Sequence, residues 1–318
     1  MDEIIRFSPD EILQEGQTMN ARTTLLVAGC FGAVATLAVT PAAQDSTARN
    51  NWTIRINETR GPVRALSILP SVTTATTEIL AGPTNGSDNA YLMFTRLPAG
   101  ARGPAMSTLP DDHLMLVLEG KLNIRIGTDR FVVERNQAAA VPRLVPHEVW
   151  NEGPEPEAHF EVIAPGSSRD LKAMFTSAEP RKVENAAQYI RTTNVPVQSA
   201  MKPGLNGATF AERKLGYNEQ LRIDSTLPGQ GGPKPHVHKF EQVYFSIEGE
   251  TTLMYGLFTY PLPKYSVAVI QPGAVHTNNN KTSAVERHIT VLLPEPIDRS
   301  EPLDIEVELK GGVGSAQR

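Results

Sequence analysis

The feature that most constrains the fold is an internal repeat. Shifted by 129 positions, the segment Tyr91–Pro165 falls on Gln220–Pro294 without a gap. Gly100 meets Gly229, Gly103 meets Gly232, and Pro104 meets Pro233. Glu119-Gly120 meets Glu248-Gly249, and Gly127 meets Gly256. His147 meets His276, Asn151 meets Asn280, His159 meets His288, and Pro165 meets Pro294. A register kept over that distance means that one structural unit has been used twice. At 318 residues the chain is long enough for two domains of ordinary size.

Each copy reads as short strands. HLMLVLEG, LNIRIG and HFEVIAP in the first copy match QVYFSIEG, TLMYG and HITVLLP in the second. These are apolar or β-branched runs bounded by Gly and Pro, so the expected class is all-β. Between the copies, Asp170–Pro196 is more polar and reads as a linker or a short helix.

The second copy carries a cluster with metal-ligand spacing. His236 and His238 stand two apart, which places both imidazoles on one face of a strand. His276 arrives from a second strand, beyond the Pro272-Gly273 turn. Neutral imidazoles suit first-row transition metals, and three of them leave positions open for substrate or water. All seven histidines of the chain lie in or just after the two corresponding regions. Gln242, four residues after His238, brings an amide oxygen into the same set. Glu241 is no substitute for it, because strand alternation turns it to the opposite face.

Pro235-His236-Val237-His238, then three residues, Gln242, six more, and Gly249 resembles the first motif of the cupin superfamily. Gln271-Pro272-Gly273-Ala274-Val275-His276, then three residues and Asn280, resembles the second. The resemblance spans roughly residues 50–310 and implies a bicupin of two antiparallel jelly-roll barrels. The expected division is a barrel over 50–172, a linker over 173–205 and a barrel over 206–312. It implies one divalent transition metal (Fe, Mn, Cu, Ni or Zn) held by His236, His238, Gln242 and His276. The family pattern has Glu where this chain has Gln242, and that is the main departure. An amide adds no charge, so the ion keeps more of its Lewis acidity toward an anionic chelating substrate. The departure argues against an oxalate-decarboxylase-type site, which relies on that Glu.

Among cupins, charge-neutral three-histidine sites occur in iron-dependent dioxygenases and in non-redox enzymes. The expected function is therefore a metal-dependent oxidoreductase of dioxygenase type, acting on a small oxygenated or aromatic compound. Alternatives are a non-redox lyase, isomerase or cyclase, and a ligand-binding or storage cupin. His288 is expected to support the site, Asn280 to close the turn after His276, and Gly249 to permit the turn after Glu248. Tyr244 and Ser246 share the parity of Gln242 and face the barrel interior.

In the first copy the same register substitutes Ser107 and Leu109 for the histidine pair and His113 for Gln242, and keeps His147. Leu109 puts an apolar side chain at a ligand position, so this barrel is expected to be structural. A weaker metal site from His113, His147 and His159 is the alternative.

Residues 1–44 read differently. The run Thr23–Gln44 is uncharged, follows Arg22 and ends near Pro41-Ala42-Ala43, as a secretory signal does. Val27-Ala28-Gly29-Cys30 also resembles a lipobox. The first 18 residues are acidic, so initiation at Met19 fits a signal better. Export to the periplasm or outside is the expectation, with membrane attachment through this segment or a cytoplasmic location as alternatives. Export makes reduced iron harder to maintain and shifts weight to the other metals. Cys30 is the single cysteine, so an internal disulfide and a Cys-based zinc cluster are both excluded. With net charge −5 and no basic run longer than two residues, nothing points to nucleic acid. The expected partner is a small-molecule substrate, and self-association stays open.

Overall fold

The computed structural model describes residues 52–56, 61–65, 72–297, 304–309 and 314–315. The signal-like segment 1–44 lies outside the described residues. Among those described, no helix is long and apolar enough to cross a membrane.

Two barrels of two sheets each account for nearly all of the fold. The larger sheet of the first orders its strands Thr53–Ile56, Thr76–Ala81, Tyr91–Leu97, Glu157–Ala164, Asp112–Glu119, Gln137–Val141 and Ile190–Thr192. Its smaller sheet runs Thr176–Ser177, Ser107–Thr108, His147–Trp150, Lys121–Ile126 and Asp129–Glu134. The larger sheet of the second barrel runs Leu205–Ala211, Gln220–Thr226, Glu286–Leu293, Glu241–Glu248, Ser266–Ile270 and Val63–Ala65. Its smaller sheet runs Ile305–Glu306, His236–Val237, His276–Asn279, Glu250–Tyr255, Phe258–Pro263 and Gly314–Ser315. Among the described residues, pairing is antiparallel except between Thr53–Ile56 and Thr76–Ala81 and between Phe258–Pro263 and Gly314–Ser315.

The offset of 129 holds at the level of single bonds. Every strand from Tyr91–Leu97 to Glu157–Ala164 recurs with both limits moved by that number. Asn151 donates its side-chain N–H to the carbonyls of Leu97 (3.0 Å) and Glu155 (2.8 Å). Asn280 does the same to Thr226 (3.0 Å) and Ala284 (2.7 Å), closing the turn as its position predicts. Gly249 has φ +68°, and a Cβ there would fall 2.5 Å from the Val285 carbonyl oxygen. Glycine is required at such a site by both conformation and contact.

The larger sheets of the two barrels pack against each other. Asp112–Glu119 is buried along its first seven residues because both of its faces are covered. Leu114, Leu116 and Leu118 join the apolar layer between the barrels, with Phe160, Phe245, Ile289 and Val291. Met115 and Val117, of the other parity, fill the first barrel. Phe160 stacks on Phe245 with ring centres 5.1 Å apart. Strand runs covered on both sides lose the polar-apolar alternation of an exposed sheet, which is why these segments read as continuous apolar stretches.

Three short strands fall elsewhere than the sequence boundaries put them. Val63–Ala65, placed by sequence in the first barrel, pairs with Ser266–Ile270 of the second. The buried Arg64 ties this strand back, donating to the carbonyls of Leu80 (2.7 Å) and Asn85 (2.5 Å). Thr176–Ser177 and Ile190–Thr192, placed in the linker, pair with strands of the first barrel. Short strands at sheet edges are decided by which edge stands open, a property their own residues do not encode.

Candidate metal centre

Three segments of the second barrel deliver the predicted ligands to one point. His236 opens a two-residue strand and stands directly opposite His276 in the register. His238 follows two residues later. Their ring nitrogens and that of His276 lie within 4.8 Å of one another. All three side chains are buried. Gln242 enters from the neighbouring wall strand, and its Oε1 lies 2.9 Å from His238 Nε2 and 3.0 Å from His276 Nε2.

The electrostatics disfavour charge on two of these rings, His276 and His238. Burial pushes His276 down to about 3 from its ordinary 6.5, and the neighbouring His236 and His238 add to the effect. Burial also lowers His238. His276 Nδ1 meets the Ala274 carbonyl at 3.0 Å and His236 Nδ1 meets that of Lys234 at 2.7 Å. A carbonyl only accepts, so both Nδ1 atoms carry a proton and both Nε2 atoms turn inward, that of His276 as a lone pair. The His276 lone pair then faces the Gln242 carbonyl oxygen with no proton to share.

That donor set fits a cation. Two donors 2.9–3.0 Å apart are spaced as they are when each lies about 2.1 Å from a shared ion at roughly a right angle. The backbone carbonyls on Nδ1 fix tautomer and ring orientation, as partners of ligating histidines commonly do. Phe240 lies flat on the His238 ring, 4.0 Å away at 8°, and limits its rotation.

The neighbouring residues divide as the strand parity predicts. Glu241 points away from the cluster and accepts from Ser87 Oγ (2.5 Å) and Asn89 (3.4 Å) of the other barrel. His288 is not a ligand: its Nδ1 meets Glu286 at 2.5 Å and its ring packs on Tyr244 at 4.5 Å. Tyr244 packs inside the barrel with Leu253 and Ile270. Asp304, which the sequence did not single out, has Oδ1 at 3.6 Å from His236 Nε2.

In the first barrel the corresponding residues bond to each other. His147 Nδ1 meets the Val145 carbonyl at 2.9 Å, and its Nε2 lies 2.9 Å from His113 Nδ1. His113 Nε2 reaches Glu161 Oε2 at 2.7 Å. The other oxygen of Glu161 accepts from Thr95 and lies 3.2 Å from His159 Nε2. His159 Nδ1 is held by Glu157 at 2.9 Å. His159 thus sits between two carboxylates, apart from the His113–His147 contact. Among the described residues, only His236, His238 and His276 form a cluster of metal-ligating geometry. Glu157 and Glu161 were missed at the sequence level, although their spacing with His159 places all three on one face of a strand.

The Cupin domain family (Cupin_2) matches residues 93–164. Residues 93–164 are a cupin domain, and the two barrels share the cupin fold. Its fold is similar to that of AerE from Microcystis aeruginosa, at 14% identity and a TM-score of 0.52, over 73% of this chain and 97% of that one. It is also similar to an oxalate decarboxylase of Bacillus subtilis, at 12% identity and a TM-score of 0.56, over 79% and 80%. A salicylate 1,2-dioxygenase from Pseudaminobacter salicylatoxidans aligns at 12% identity and a TM-score of 0.51, over 65% of this chain and 71% of that one. No curated protein matches the sequence. At these identities the likeness is one of fold, and function rests on the site. The family match lies on the barrel without the histidine triad, which underlines the point.

Proposed function

We propose that this protein is a mononuclear metal-dependent cupin enzyme, an oxidoreductase of dioxygenase type acting on a small oxygenated or aromatic compound. The observation that carries this reading is the convergence of three imidazoles and one amide oxygen on a single buried point. His236, His238 and His276 would hold the ion, and Gln242 would complete the barrel's own donor set. When bound, the ion supplies Lewis acidity and, if redox-active, single-electron chemistry. The residues do the rest. Backbone carbonyls at Lys234 and Ala274 aim two of the rings, and Phe240 shields the third from water. The uncharged Gln242 adds no negative charge from the wall strand.

A non-redox lyase, isomerase or cyclase draws on the same neutral donors and is the second reading. Metal analysis of purified protein followed by oxygen-electrode assays with small hydroxylated aromatic acids tests the first. Substrate-dependent oxygen uptake supports a dioxygenase. Substrate consumption at equal rate under anaerobic conditions replaces it with the non-redox reading.

A further inference from the structure

The structural repeat runs past the point where the sequence resemblance stops. Thr176–Ser177 adds to the edge of the first barrel's smaller sheet, with Ser177 opposite Ser107. Ile305–Glu306 adds to the same edge of the second, with Glu306 opposite His236. These two edge strands are again 129 residues apart. The residue that precedes each one therefore holds a single position of the repeat. It is Phe175 in the first barrel and Asp304 in the second.

That position looks into the barrel mouth in both copies. The Phe175 ring stands edge-on to His113 with centres 6.1 Å apart. It lines a cavity of about 20 Å³ together with His113, His147 and Glu161. Asp304 brings a carboxylate oxygen to 3.6 Å from His236 Nε2. The strand behind it is anchored on the histidine segment itself. Val307 N donates to the Pro235 carbonyl at 2.7 Å, and Lys234 Nζ donates to Glu306 at 2.7 Å.

We propose that Asp304 is the carboxylate of this metal site, carried in by the C-terminal strand because the wall strand offers only Gln242. The proposal rests on the reading of His236, His238 and His276 as metal ligands. A divalent ion among three imidazoles and an amide has no charge to balance it, and a carboxylate at this distance supplies one. A donor separation of 3.6 Å corresponds to about 120° at an ion roughly 2.1 Å from each atom. That direction differs from the right angles that Gln242 makes with His238 and His276. The repeat shows a matched change as well. Where the histidine pair has become Ser107 and Leu109, the Asp304 position has become Phe175, which suits a barrel with no ion to balance.

The test uses the full chain, stripped of metal by chelator and titrated with Co²⁺ and with Mn²⁺ by calorimetry. Asp304→Asn keeps shape and removes charge at a side chain 39% exposed, so the fold is not at stake. Its dissociation constant is expected to rise at least tenfold, with binding still saturating at one ion per chain. Asp304→Phe, which installs the first barrel's residue, should weaken binding as much or more. In Asp304→Asn combined with Gln242→Glu, the carboxylate returns from the wall strand, and affinity should recover to within about threefold of wild type. Unchanged affinity in Asp304→Asn, while His236→Ala abolishes binding, overturns the proposal and leaves the metal site standing. Equal, negligible binding by wild type and His236→Ala overturns both.

Discussion

The two barrels share a backbone and differ in what occupies one point inside it. His147 and His276 are the same residue of the repeat. Each ring is held through Nδ1 by the carbonyl two residues back, and burial pushes each to about 3. Each therefore presents a lone pair to the barrel interior. In the second barrel that lone pair faces the Gln242 oxygen and two more imidazoles, and a cation fits between them. In the first, His113 Nδ1 stands 2.9 Å away and supplies a proton instead. A hydrogen bond does in one copy what an ion would do in the other.

A second exchange lies deeper. Thr95 donates to Glu161 in the first barrel, while Thr290 donates to Asp224 at 2.6 Å in the second. Thr95 and Asp224 are one repeat position, and Glu161 and Thr290 are another. Hydroxyl and carboxylate have changed strands with the bond between them retained. The comparison teaches that the duplicated backbone tolerates redistribution of charge inside, provided each buried polar group still finds a partner.

The comparison can be broken most decisively at the shared histidine. His276→Ala should reduce bound metal from about one ion per chain to a trace while circular dichroism stays unchanged, because a barrel of this size draws its core from apolar packing. His113→Ala should leave metal content intact. It should instead lower stability by about 2–6 kcal/mol, because two buried atoms, Glu161 Oε2 and His147 Nε2, each lose a hydrogen-bond partner at about 1–3 kcal/mol. Metal loss in His113→Ala, measured by elemental analysis, would mean that the first barrel also holds an ion.

His159 sharpens the contrast through pH. Burial disfavours its charge, but Glu157 and Glu161 outweigh burial and raise it to about 10 from 6.5. A group raised on folding stabilises fully below its unfolded value and loses that contribution as pH climbs through its folded value. The stability gap between wild type and His159→Gln, followed by thermal melts, should therefore be greatest below pH 6.5 and shrink toward pH 10. A gap that grows with pH contradicts a charged His159.

The contact that joins the barrels predicts a similar loss without any pH dependence. Phe245→Ala removes the ring stacked on Phe160 and should cost about 3–5 kcal/mol by denaturant melts. It should not alter metal stoichiometry. The smallest expected effect is at Gln242. Gln242→Glu adds charge attraction, so metal should bind a few-fold more tightly while turnover falls with Lewis acidity. Equal or higher turnover would show that the neutral amide is incidental.

Much of this was legible in the chain itself. A repeat of 129 residues, strand-sized apolar runs and His-X-His before a Pro-Gly turn determine two β-barrels and place the triad in the second. They do so because turn glycines, the buried Asn280 and alternating side chains act within a few residues of one another. What only the tertiary structure decided depends on partners far apart in sequence. Apolar runs such as HLMLVLEG say that a strand is covered on both faces, without saying by what. Val63–Ala65 joins the second barrel because an edge stands open there. Asp304 reaches His236 because the C-terminal strand pairs with His236–Val237, beyond the stretch over which residues still match. Local chemistry determines which elements form. Which buried charges meet is settled by packing, since a carboxylate taken from water requires its counterpart at one position in space.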